Sequence, residues 1–126
     1  MLKRFASAST VAAVAAAVAA LVVLMFPGIR LAQFSPLLVI WCCAPCAWGV
    51  WAMLAPSGWV PERLAIWGAM LGVLVGFLAA FVLNLPLRVF GVATPVAVRA
   101  AGVAIIVIFY FIFWRLVGVA YRKLVA

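Results

Sequence analysis

Long uncharged apolar runs alternate along the chain with short breaks rich in proline, glycine and arginine, and the runs share one length. A hydrocarbon core about 30 Å thick is crossed by about 20 helical residues at 1.5 Å each. Runs of that size cover about 8–26, 36–55, 64–85 and 98–119. The first lies between Lys3-Arg4 and Pro27-Gly28. The second offers Ser35 as N-cap and Pro36 at the first helical position, where a missing N–H costs nothing, and stops at Pro56-Ser57-Gly58. The third opens at Pro61-Glu62-Arg63, with an acid in its first turn to suit the helix dipole, and continues toward Pro86. The fourth repeats the start signal with Thr94 and Pro95. Arg115 falls inside that run, where a long cation near a helix end snorkels to the interface.

These runs predict an all-α integral membrane protein, with residues 1–126 forming one four-helix transmembrane bundle of a bacterial-type inner membrane. Lys3-Arg4 and the run behind it have the beginning of a signal peptide. The run exceeds the roughly 7–15 residues of a typical h-region, so an uncleaved signal anchor is expected. Charge sets the orientation. An inside N-terminus places Lys3, Arg4, Arg63, Arg115, Arg122 and Lys123 within, and Arg30, Arg88 and Arg99 outside. That bias predicts both termini in the cytoplasm. Composition agrees with the membrane assignment, since 73% of the 126 residues are hydrophobic, 8% are charged and mean hydropathy is +1.46. A soluble domain carries roughly 25% charged residues.

Packing signals lie within the runs. Gly68, Gly72, Gly76 and Ala80 recur at intervals of four and lead to Asn84, an extended small-residue stripe of the glycine-zipper type. Each step of four drifts by 40° at 100° per residue, so a partner helix follows the stripe by crossing at an angle. The partner is expected in this chain or in another subunit. Alanine fills seven of the nine positions from Ala12 to Ala20, while Val11, Val14, Val18, Leu21 and Met25 form a ridge. This thin first helix is expected at the centre, against the third. Trp41, Trp48 and Trp51 share one side of the second helix, and Trp59, Trp67, Trp114 and Tyr121 are expected as headgroup-level anchors.

The remaining chemistry is sparse. The chain has no histidine and a single acid, Glu62. A His-ligated haem, a zinc hydrolase centre and a Ser-His-Asp triad therefore cannot be built from it. Transport coupled to an intramembrane carboxylate and catalysis by a pair of carboxyl groups are equally poor fits. The chain is expected to be no enzyme, to bind neither metal nor nucleic acid, and to hold no cofactor beyond a quinone or a bound lipid.

Cys42, Cys43 and Cys46 are the whole complement of thiols, and Cys43-Ala44-Pro45-Cys46 has the C-x-x-C spacing that brings two thiols together on one turn. Across those four residues the chain resembles four-helix quinone-linked thiol oxidoreductases. That resemblance implies a redox pair at Cys43 and Cys46. Such enzymes use a second cysteine pair in a periplasmic segment as the relay, and this sequence has neither such a segment nor a fourth cysteine. Packing as small apolar side chains is the preferred reading of the three thiols. Pro45 also removes a backbone bond to Trp41 and leaves that carbonyl open.

Asn84 is expected to bond across to another helix. With Arg30, Arg88 and Arg99 on the same outer side it is also a candidate for binding a lipid headgroup or phosphate, beside the simpler reading that these arginines snorkel to lipid phosphates. The function that fits this inventory is a non-catalytic accessory, assembly or scaffold subunit of a larger inner-membrane complex, with other membrane subunits and anionic lipids as partners. The alternatives are a carrier or helper for a lipid-linked or hydrophobic substrate, and a membrane thiol or quinone redox protein.

Overall fold

A computed structural model describes residues 1–25, 31–60, 62–84, 87, 91, 93 and 95–126, with the backbone alone over 31–37. Helix α1 covers Leu2–Met25 and α2 covers Leu31–Met53. A short 3-10 turn, Ser57–Trp59, leads to α3 at Leu64–Phe77, which passes into a π-helical turn at Leu78–Val82. Helix α4 covers Val96–Val125. No strand occurs among the described residues.

Three helical segments are long and apolar enough to cross a membrane, Leu2–Met25, Leu64–Val82 and Val96–Val125. The apolar stretch described in α2, Leu38–Met53, is shorter.

The helices exceed their apolar runs at several ends. Helix α1 begins at Leu2 and takes in Lys3 and Arg4, and α4 runs on to Val125, six residues beyond Val119. Hydropathy delimits only the apolar part of a helix, whereas backbone hydrogen bonding continues past it. Basic Arg122 and Lys123 in the last turn of α4 favour this extension through the helix dipole.

Other expected boundaries are corrected. Pro36 lies five residues inside α2 rather than at its start. Glu62 precedes α3, whose N-cap is Arg63, so the first turn carries no acid. Pro95 occupies the N-cap of α4 in an extended conformation, one place earlier than expected, and Thr94 lies outside the described residues. The third helix stops short of Leu85. The amide of Leu83 reaches back to the carbonyl of Leu78 at 2.8 Å, the five-residue spacing of a π-turn. Asn84 then adopts φ +49°, a left-handed conformation that Asn tolerates better than most side chains.

Helix α3 packs most extensively on α4, α4 also packs on α1, and α1 packs on α2. Neighbours run antiparallel. Arg4 at the start of α1 reaches the carbonyl of Ala55 just past the end of α2, and Gly68 near the start of α3 meets Trp114 near the end of α4. The two chain termini therefore share one end of the molecule. The Ala-rich helix lies between α2 and α4, and not against α3 as expected. Its buried positions are Ser7, Ala8 and Ala12; of the ridge, Val11 packs partly buried against the core, while the rest points outward, with Val14 60% and Met25 80% exposed.

The buried core gathers at the end that holds the termini. Ala8, Ala12, Trp48, Ala52, Leu64, Leu71, Trp114 and Val117 belong to one cluster. Small side chains on α1 and α2 let the two helices approach, and Trp48 fills the space toward α4. Its ring lies 5.1 Å from Tyr110, 6.4 Å from Phe113 and 5.5 Å from Trp114 between centroids, within the range of favourable aromatic contacts.

Candidate functional site: the glycine face, the polar ties and the charged cleft

A helix presents a backbone surface wherever it carries glycine, and α3 does so every fourth residue. Gly68, Gly72 and Gly76 are all buried and all face α4. A Cβ on Gly68 would overlap the ring of Trp114. One on Gly72 would stand 2.8 Å from Cβ of Tyr110, and one on Gly76 3.1 Å from Cγ1 of Val103. Three turns of α4 are thus seated on three glycines of α3 within this chain. Ala80 is buried in the π-turn that follows. Val73, to one side of the glycine face, is half exposed.

Trp114 completes this arrangement, and its position corrects its assignment as a headgroup anchor. The side chain is fully buried in the space left by Gly68. Trp67 is also drawn inward. It stacks on Trp51 with centroids 4.7 Å apart, and Trp59 meets it edge-on at 6.0 Å. The guanidinium of Arg63 lies 6.0 Å from the centre of the Trp59 ring, at the outer limit of a cation–π contact.

A second close approach, between α1 and α2, has no counterpart in the sequence reading. A Cβ on Gly49 would fall 2.5 Å from the Phe5 ring and 2.6 Å from Oγ of Ser9. That proximity brings the Ser9 hydroxyl to the carbonyl of Pro45, to which it donates at 2.8 Å. Helix α2 continues through Pro45, and the tie goes to that residue's own carbonyl rather than to Trp41. A small residue at Gly49, four after Pro45, was the available signal. It was obscured because the neighbouring cysteines and tryptophans dominate the segment.

Polar side chains elsewhere serve the same purpose. Nη1 of Arg4 donates to the carbonyl of Ala55 at 3.0 Å, satisfying an acceptor just beyond the last turn of α2. Ser7 and Thr10 bond back to the carbonyls of Arg4 and Ala6. Trp51 and Trp67 each donate from the indole nitrogen to the other's carbonyl. Two buried polar atoms, Oδ1 of Asn84 and Nε1 of Trp114, lack a partner among the described residues.

The cysteines do not fill the interior. Cys42, Cys43 and Cys46 are free and exposed on α2, so the expectation that they pack among neighbouring side chains of this chain is corrected. Helical periodicity places Cys42, Cys43 and Cys46 on the side of α2 away from Trp48. Of the three arginines expected on the outer side, Arg99 is described and half-buried on the first turns of α4, while Arg30 and Arg88 lie outside the described residues. The proposed cluster of Asn84 with those two arginines lies outside them as well.

A charged cleft at the opposite end was not anticipated. It opens between the start of α3 and the last turns of α4, has a volume of about 620 Å³, and is lined by Glu62, Arg115 and Arg122 together with Ile66, Phe111 and Ile112. The seven-residue interval between Arg115 and Arg122 puts both on one face of α4, which was legible. That Glu62 stands opposite depends on how α3 and α4 cross. A smaller groove of about 280 Å³ between α1 and α4 is apolar, with Val14, Val18, Phe113 and Leu116 among its walls.

No protein-family model, curated protein or solved structure matches this chain.

Proposed function

We propose that the chain is a four-span membrane protein with both termini in the cytoplasm of a bacterial-type cell, acting as a non-catalytic accessory, assembly or scaffold subunit of a larger membrane complex. The antiparallel succession of helices supports four spans, because each connection then emerges at the alternate side. The surplus of Lys and Arg on the side of the termini supports the orientation.

One observation carries the accessory reading. The hydrogen bonds from Arg4, Ser9, Trp51 and Trp67 all end on main-chain carbonyls at helix contacts. Polar side chains are few in this sequence, and these four are committed to holding helices together. Asn84 adds to this, as its buried amide oxygen at the far end of α3 meets no donor among the described residues.

The test is isolation of the tagged chain from its native membrane in mild detergent. A second membrane protein in fixed stoichiometry is the expected result. A chain that purifies alone with a bound quinone and an oxidised Cys43–Cys46 pair overturns the reading in favour of thiol redox chemistry. A chain that purifies alone with a lipid-linked saccharide or a similar cargo overturns it in favour of a carrier.

A further inference from the structure

We propose that the cleft between α3 and α4 is a binding site for an aminophospholipid of the phosphatidylethanolamine type, taken from the leaflet on the side of the chain termini. The inference rests on the membrane placement of the chain and is independent of its accessory role.

The cleft is graded in polarity along the helix axis. Arg122 lies in the last turns of α4, Arg115 two turns deeper, and Phe111 and Ile112 about one turn deeper again. Two turns span about 10 Å, whereas the polar layer of one leaflet is roughly 5–8 Å thick. Arg122 therefore stands at headgroup level, and Arg115 reaches up to it from the edge of the hydrocarbon. Ile66, Phe111 and Ile112 provide an apolar wall at the depth of the acyl chains. A ligand matching this grade has a polar end at the Arg122 level and a hydrocarbon chain running inward, which is the form of a bilayer lipid.

The charges at the mouth select among lipids. Two guanidinium groups and one carboxylate line the same cleft, and no hydrogen bond or ion pair joins Glu62 to either arginine among the described residues. Arginine offers a planar fork of donors suited to phosphate, and an ionised carboxylate accepts only. A phosphate ester bearing a primary ammonium complements the set, with the phosphate at Arg115 and Arg122 and the ammonium at Glu62. A purely anionic headgroup would leave Glu62 facing a like charge. A quaternary choline would offer it no N–H donor.

Native mass spectrometry of the full-length protein in detergent tests this with dioleoyl-phosphatidylethanolamine, dioleoyl-phosphatidylglycerol and dioleoyl-phosphatidylcholine as probes. The ethanolamine lipid should be retained roughly tenfold better than the other two, the scale of one charge-assisted hydrogen bond. Glu62→Gln should erase its advantage over the glycerol lipid. Arg115→Gln with Arg122→Gln should lower retention of both. Because these side chains are exposed, the variants should keep wild-type helicity by circular dichroism. Ile112→Trp, which narrows the apolar wall and leaves every charge in place, should lower retention of all three lipids and decides the matter if the double arginine variant misfolds. Equal retention of the three lipids by the wild type, preference for the glycerol lipid, or indifference to Glu62→Gln and Ile112→Trp overturns the proposal. So does a protein segment found cross-linked in the cleft in place of lipid.

Discussion

Trp51 and Trp67 exchange hydrogen bonds across the turn between α2 and α3: each indole nitrogen donates to the other residue's carbonyl, at 2.8 and 2.7 Å, while the two rings stack 4.7 Å apart. The pair closes the 3-10 connection and fixes where α3 starts beside α2. Replacing either tryptophan by phenylalanine keeps much of the stack and removes one donor. Trp51→Phe and Trp67→Phe should each lower unfolding free energy in detergent by about 1 kcal/mol, the net worth of a typical hydrogen bond. The double variant should show non-additivity of about 0.5 kcal/mol or more, because the residues are in direct contact. Strict additivity would show that the two bonds act independently.

The seat of α4 on α3 gives a sharper contrast. Gly68→Ala places a methyl group where Trp114 already lies and should cost about 1–3 kcal/mol through overpacking, and Gly72→Ile should cost more. Gly102→Ala adds a methyl with nothing within 4 Å and should be neutral or stabilising by up to about 1 kcal/mol, because alanine is the better helix former. Val73→Ile, at an exposed position, should be silent. Thermal unfolding in one detergent ranks the four variants. Equal tolerance at Gly68 and Gly102 would contradict the close approach of α3 and α4.

Gly49 and Ser9 make an independent test at the other contact. Gly49→Leu should drive α1 from α2, since even a Cβ meets Phe5 and Ser9 at about the distance of a steric clash. Ser9→Ala removes only the bond to Pro45 and should cost about 0.5–1.5 kcal/mol. A cysteine pair introduced at Phe5 and Gly49 in a cysteine-free background that also carries Ser9→Ala, which removes the oxygen a new Cβ would strike, should cross-link in membranes if α1 and α2 are antiparallel as described. Its failure to form would place α1 elsewhere.

The exposed thiols predict a chemical result. In protein trapped with acid and then unfolded in SDS, Cys42, Cys43 and Cys46 should all react with a small maleimide, and labelling without prior reduction should reach the level found after reduction. Labelling that rises only after reduction would reveal an oxidised pair.

The helices themselves were legible because a membrane span must be a long apolar run, and three of the four runs recur as helices long and apolar enough to cross. The glycine stripe was legible as a packing face, but its partner was not. One row of small residues specifies close approach without naming the helix that approaches, and only the fold seats Trp114 on Gly68. Most of the large side chains of α1 face outward for a related reason. In a soluble helix large apolar side chains mark the buried side, whereas in lipid the large residues face the chains and alanine, serine and glycine face other helices. Val14 and Val18 outside, with Ala8 and Ala12 inside, follow that inverted rule. The charged cleft escaped because Glu62 and Arg122 are sixty residues apart in sequence and meet only through the crossing of α3 on α4.

The accessory role is tested most directly by removing the chain from its native cell and measuring two quantities together, the amount of the partner complex on a native gel and the turnover per assembled complex. Assembled complex should fall at least several-fold while turnover of what remains is unchanged, and the Cys43→Ala/Cys46→Ala variant should restore assembly in full. Unchanged assembly with lost turnover, or failure of that variant to complement, would contradict the accessory role and assign the chain a catalytic part.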